Sequence, residues 1–521
     1  MVMRHVLRLV LAAALLGGCA SLTEPMPLAV DAPQTYGTDG PDSRATPLWA
    51  ALVSMADARA THAGVTTLET GAVAYRARLA LIEAATVAID VQSYIWEFDQ
   101  SGQAITDALL RAAERGVRVR LLIDGFRVDD GTQQLKQIAR HPNFHVRLYN
   151  AFRTSFRSDF VRYSELVSDF KRLNQRMHDK VLAVDGAAAI LGGRNVSDEY
   201  FGLSAARYFH DRDVLLAGPL TAQVSDTFDL FWNSDYAVPV SHFEDGLPKT
   251  NVAPPAAVEP QAPGAILLPL QLSEAELDAE LGLLRHALVW ADMQLVRSAP
   301  GLVFAEQAPP DDETFEVVFL RAIEDARDEI VLQTPYLTLT PVQRATLIAA
   351  RQRGVAIKLN TNSLASTDWP IVQHGYMQER RQFLHWGVYV FELKDQPATC
   401  CRGDAFGIVP ATAILHQKTI VIDGRLVFVG SFNIDYRSIR HNSEVGVIVD
   451  SLAFGARVLA EIAEATQPDN SWRLTIGPSN EIVWLDESVD PPTRYLDDPH
   501  TSLLDQLAPW FGYFLPIDGL L

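Results

Sequence analysis

The chain has 521 residues, room for three or four average domains, and its 48% hydrophobic and 21% charged content is that of a folded globular protein. The 44 Lys and Arg against 64 Asp and Glu leave a net charge of −20. Such a chain repels a polyanionic backbone, which argues against nucleic acid as its partner. Three cysteines are too few for a disulfide scaffold. Adjacent Cys400 and Cys401 lack the C-x-x-C spacing of a metal or redox site, so ordinary packing is expected of them.

The N-terminus reads as a secretory signal. Arg4, His5 and Arg8 precede an apolar run, Leu9 to Leu16, too short to span a bilayer. The run ends Leu16-Gly17-Gly18-Cys19, which resembles a bacterial lipobox. That resemblance implies lipidation of Cys19 and a cell-envelope protein held by acyl chains on the periplasmic side. Ala20 in place of Asp favours the outer membrane over the inner. Residues 20–65 read as a tether and a leading helix.

The rest divides into residues 66–240, a Pro-rich linker at 241–268, residues 269–470 and an aromatic tail at 471–521. The two larger parts repeat each other. An offset of 238 residues relates Gly116 to Gly354, His178 to His416, Asp185 to Asp423 and Asn195 to Asn433. Each copy begins strand, helix, strand: 86–95, 104–115 and 117–123, then 330–337, 342–353 and 355–359. That alternation predicts an α/β fold of two pseudo-symmetric units, each a mostly parallel sheet flanked by helices, with one site between them.

The chemistry lies in two hairpins. His178-x-Lys180 is followed by Asp185-Gly186 and by Gly192-Gly193-x-Asn195. His416-x-Lys418 is followed by Asp423-Gly424 and by Gly430-Ser431-x-Asn433. His and Lys two apart on a strand share a face, and Asp-Gly is a hairpin turn. Each hairpin thus gathers an imidazole, an ammonium and a carboxamide at one edge, and glycines 192 and 430 would let the backbone approach a ligand. Two such sets suit a phosphodiester. Lysines and asparagines hold the phosphoryl oxygens, one histidine attacks phosphorus and the other protonates the leaving group. No cofactor or metal is called for, because the fixed cations offset the charge. Asp213 and Glu444, at comparable distances after the two histidines, are the expected orienting carboxylates. Asp185 and Asp423 fit a structural role in the turns, and Ser431 a weaker phosphate contact.

These segments fill every position of the H-x-K-x4-D-x6-G-[SG]-x-N pattern and are identified as members of the phospholipase D superfamily. The surrounding Arg-Met-His-Asp-Lys, Gly-Gly-Arg-Asn and Tyr-Phe-Gly phrases resemble the C-type bacterial cardiolipin synthases. The resemblance implies transfer of a phosphatidyl group through a phosphohistidine, with His178 as nucleophile and His416 as general acid. The implied partners are phospholipids of the phosphatidylglycerol, phosphatidylethanolamine or cardiolipin class and the membrane surface. A phospholipase D hydrolase, a secreted nuclease and a non-catalytic scaffold are the competing readings. Arg153, Arg157, Arg162, Lys171, Arg172 and Arg176 form a candidate surface for anionic headgroups. The aromatic tail around Trp510 is a candidate membrane contact.

Overall fold

The computed structural model describes residues 32–37, 42–53, 62–126, 132–152, 165, 168–243, 269–301, 314–403, 405–502 and 505–506. Cys19, residues 244–268 of the Pro-rich linker, Arg153, Arg157, Arg162 and the aromatic residues Trp510, Phe511, Tyr513 and Phe514 lie outside the described residues.

The strand–helix–strand start of each half is present. Ala88–Ser93, Gln100–Glu114 and Arg118–Asp124 form it in the first half. Glu329–Gln333, Pro341–Gln352 and Ala356–Asn362 form it in the second. The two helices have clear start and stop signals. Asp99 accepts the Gly102 N–H, and Thr340 with Gln343 forms a reciprocal capping box. Gly116 and Gly354, at φ 95° and 97°, end them in the left-handed conformation that glycine adopts without cost. Ala104, Ile105, Ala108, Leu109 and Ala112 recur at helical spacing and bury one face of the first helix in the core.

The expectation of mostly parallel sheets is overturned: both sheets are mixed, with more antiparallel than parallel neighbours. Parallel pairing in the first half joins Ala88–Ser93 to Arg118–Asp124 and the latter to Phe144–Tyr149. In the second half it joins Glu329–Gln333 to Ala356–Asn362 and the latter to Tyr389–Leu393. The motif strands pair antiparallel throughout, Val181–Val184 with both Ala88–Ser93 and Ala188–Gly192, and Thr419–Ile422 likewise with its neighbours. The physical reason is connectivity. A helical crossover returns the chain in the same direction, whereas an Asp-Gly turn reverses it at once.

Residues expected to begin the tail instead extend the second sheet. Ser471–Ile476 pairs antiparallel with Tyr389–Leu393, and Ile482–Asp486 and Thr493–Tyr495 follow. Cys400 and Cys401, expected to pack as free thiols, are joined to each other as a disulfide. Among the described residues no helix is long and apolar enough to cross a membrane.

The halves meet as one body. Strand His62–Leu68 pairs antiparallel with Val289–Arg297, joining the two sheets edge to edge. Behind that seam, Val65, Val181, Ala183, Leu191 and Val214 share a single core with Val331, Val421, Val427, Val429 and Val447. Each fully buried aliphatic side chain there contributes about 1.5–3 kcal/mol. The interface is therefore a core, not a mobile contact, and it brings the two motif hairpins face to face.

Candidate active site

Turn chemistry builds each hairpin. Asp185 and Gly186 have φ of 54° and 59°, and Asp423 and Gly424 of 51° and 63°, the paired positive values of a type I′ turn. The Asp185 carboxylate accepts the N–H groups of Thr86, Val87 and Ala88 at 2.8–2.9 Å. Asp423 accepts those of Arg327, Asp328 and Glu329 at 2.8–3.0 Å. Each motif aspartate thus pins its hairpin to the start of the neighbouring strand.

Close protein neighbours leave no room for a side chain at these glycines, in keeping with a structural place in the motif. A Cβ at Gly192 would lie 2.3 Å from Asp213 Oδ1, and one at Gly430 would lie 2.5 Å from the Val445 carbonyl. A Cβ at Gly193 would lie 2.4 Å from Asp211 Oδ1. Its counterpart Ser431, expected as a phosphate contact, is buried and donates to Glu444 Oε2 at 2.5 Å.

The two motifs are completed crosswise. His178 Nδ1 lies 2.9 Å from Glu444 Oε2, so the first histidine is held by a carboxylate of the second half. His416 Nδ1 lies 2.5 Å from Asp211 Oδ2, so the second is held by a carboxylate of the first half. Short parallel strands set this geometry. Met177 pairs with Ser443 and Leu415 with His210, which places the residue just after each partner strand, Glu444 and Asp211, behind the opposing histidine. A carboxylate on Nδ1 fixes the ring tautomer and leaves Nε2 for chemistry.

Sequence reasoning placed Asp213 in this role; the structure gives the position to Asp211. Asp213 is wholly buried and accepts from Arg78 at 2.8 Å and from the Arg194 guanidinium at 3.0 Å. Asp213→Ala would strand two buried guanidinium groups, and the expected cost is about 3–5 kcal/mol. Denaturant unfolding checks this; lost activity with an unchanged midpoint would return Asp213 to the site.

Lys180 and Lys418 each donate to the backbone carbonyl of their own motif histidine. Lys418 Nζ also sits 2.8 Å from His416 Nδ1. Burial pushes the Lys180 ammonium down to about 7 and that of Lys418 to about 8. Burial, with the charges of both lysines, holds His178 well below its ordinary value. His416 is lowered too, by burial and Lys418, but Asp211 works in the other direction. The two carboxylates differ. Burial raises Glu444 to about 7, whereas Lys418 and His416 outweigh burial and hold Asp211 below the carboxylate range.

The motif asparagines differ as well. Asn195 Oδ1 accepts the Ile95 N–H at 3.1 Å and its amide donates to the Tyr200 hydroxyl at 2.9 Å. Asn433 is 6% exposed and its Oδ1 has no partner among the described residues. Tyr94 stands edge-on to His178, with ring centroids 5.2 Å apart. Gln417, inside the second motif, donates to Glu69 at 2.5 Å, and Arg212 joins Glu69 of the first half to Glu461 of the second.

Of the expected headgroup surface, Arg172 and Arg176 are buried and paired, Arg172 with Glu165 and Asp169, Arg176 with Asp124. Their guanidinium groups are taken up by these pairs, while Lys171 of the same expected surface is exposed.

Two imidazoles, each steered by a carboxylate from the opposite half and flanked by a buried lysine, define a two-histidine phosphodiester site on a duplicated α/β scaffold. The chain belongs to the family described as "Cardiolipin synthase, PLD-like domain", whose profile matches residues 79–232 and 319–465. It is 33% identical over 466 residues to cardiolipin synthase C of Escherichia coli, covering 88% of this chain and 96% of that one. It is 28% identical to an uncharacterized Helicobacter pylori protein over 92% of this chain and 94% of the other. The structure of phosphatidylserine synthase from Haemophilus influenzae covers 89% of this chain and 93% of its own, with a TM-score of 0.54 and 13% identity. That last likeness is one of fold. The phospholipase D catalytic domain is thus present twice, and a phosphatidyltransferase-type activity of the cardiolipin synthase kind goes with it.

Proposed function

We propose that the protein transfers a phosphatidyl group from one phospholipid to the hydroxyl of a second, yielding cardiolipin or a related lipid. The observation that carries this is the crossed pair of histidine–carboxylate contacts around two buried lysines. Neutral His178 attacks phosphorus through Nε2, and the P–O bond to the first headgroup breaks. His416 gives that oxygen its proton. His416, now neutral, takes a proton from the incoming hydroxyl, which attacks the phosphohistidine and frees His178. The electrostatics support these roles. His178 is the more strongly held neutral, while ionised Asp211 favours the charged form of His416.

The test is the purified chain in mixed micelles of phosphatidylglycerol and phosphatidylethanolamine. Cardiolipin together with free headgroup alcohol is the expected product, and it should persist in excess chelator because Lys180 and Lys418 supply the positive charge. Phosphatidic acid alone would make the protein a hydrolase. Conversion of neither lipid would end the reading. Acylation of Cys19 and residence on the periplasmic face of the outer membrane belong to the same proposal. Mass spectrometry of membrane-extracted protein, read at its first residue, tests them.

The pH profile of kcat/KM follows from the lysines. A lowered ammonium pKa means that raising the pH past about 7–8 removes the charge that binds phosphate. Activity should therefore fall on the alkaline side with a midpoint no higher than that range, since His416, lowered by burial and Lys418, must also keep its proton to act as the acid. A profile flat to about pH 10, the ordinary lysine range, would contradict the assignment.

A further inference from the structure

The two motif copies are not equivalent five residues beyond their asparagines. The second copy has Ser438, whose hydroxyl accepts the Asn433 N–H at 3.2 Å. The first has Tyr200, whose phenol reaches the Asn195 side chain. The orientation of that amide is fixed. Asn195 Oδ1 is taken by the Ile95 N–H, so the NH2 group faces Tyr200 and the phenol oxygen is the acceptor. The phenolic hydrogen is therefore free to point elsewhere, and no protein acceptor for it is present among the described residues. The ring is 4% exposed and held on two sides. It stacks on Phe209 at 4.6 Å, and both rings present themselves edge-on to His416, at 5.4 and 5.3 Å. A rigid phenol beside one catalytic imidazole, polarised by the amide that donates to its oxygen, is a hydrogen-bond donor with no assigned recipient.

We propose that Tyr200 is a catalytic residue whose hydroxyl donates to a non-bridging phosphoryl oxygen of the bound phosphodiester, on the His416 side of the site. This rests on the two-histidine phosphodiester reading and deepens it. Asn195, with one amide hydrogen committed to the phenol, passes part of its expected task to Tyr200. The opposite side keeps the uncommitted amide of Asn433. Burial, with Asp211 nearby, holds the phenol protonated far into alkaline pH, so it donates across the working range.

Tyr200→Phe removes the donor and keeps the ring. With a soluble chromogenic diester, bis(p-nitrophenyl) phosphate, kcat should fall about 10²-fold at nearly constant KM, as for the loss of one preorganised donor. Inorganic vanadate, a mimic of the pentacoordinate state, should bind the variant about tenfold more weakly by calorimetry, a loss of about 1.4 kcal/mol. A kcat within twofold of the parent, or unchanged vanadate affinity, overturns the proposal, as does a parent protein that binds no vanadate. Should the phenylalanine variant fold poorly, fluorotyrosines of graded acidity at position 200 preserve shape. Their kcat should track phenol acidity, and a flat series overturns the proposal. Failure of the parent to transfer lipid, with a Tyr200-dependent cleavage of the soluble diester, would sink the lipid assignment alone.

Discussion

A chain carrying His178→Ala is expected to form no covalent phosphoenzyme and to lose turnover by at least about 10³-fold, since removing a nucleophile discards the whole two-step route. His416→Ala is expected to behave differently. With a substrate whose alcohol leaves without help, the enzyme should still be labelled, and the label should map to His178. The asymmetry of the site supports this order. His178 is held neutral by burial and by two lysines, whereas His416 rests on an ionised aspartate at 2.5 Å. Acid-quenched labelling followed by peptide mapping decides it. A label on His416 would exchange the two roles. Inversion of configuration at phosphorus would remove the intermediate altogether.

The second large effect is expected at Asp211, a residue two positions from the one that sequence reasoning favoured. Asp211→Asn keeps the shape but loses the charge that stabilises the imidazolium and fixes its tautomer. Carboxylates in that role account for about 10⁴-fold in comparable triads, and about 10²–10⁴ is the range expected here. Asp213→Asn should leave kcat far less affected, because Asp213 faces Arg78 and Arg194 and not a histidine. Measuring both variants on one soluble diester separates the two aspartates. Equal losses would show that the Arg194 cluster controls the site as strongly as the direct contact does.

The contrast between Asp211 and Asp213 also shows where the sequence stops speaking. His-x-Lys, the Asp-Gly turn and the returning Gly-x-x-Asn are local. Period two and turn chemistry place them, and the repeat at a constant offset marks them as one device used twice. The orienting carboxylates are not local. Asp211 and Asp213 are two apart on either side of Arg212, so spacing from His178 cannot choose between them. The choice is made by a register between Leu415 and His210, over two hundred residues apart in the chain. Reading each copy by itself also hid the exchange, because Glu444 follows His416 in sequence and serves His178 in space. The parallel sheet failed for the opposite reason. The strand–helix–strand starts were read correctly and then extended over hairpins that reverse the chain. Glycines 192 and 430 were legible as positions without room, and residues of a neighbouring strand crowd them. The adjacent cysteines carried no local signal for their pairing.

The crossed carboxylates have a consequence for how such a site can change. Two identical subunits about a twofold axis must offer both histidines the same surroundings. A single chain that holds both halves is released from that rule, and this one has used the freedom. Glu444 stands opposite Asp211, Ser431 opposite Gly193, Ser438 opposite Tyr200, and Gln417 opposite Asp179. Because each half supplies the partner of the other's histidine, a drift in one is felt first in the chemistry of its twin. One chain thus holds two histidine sites with unlike surroundings, and neither half completes its own histidine's contacts alone.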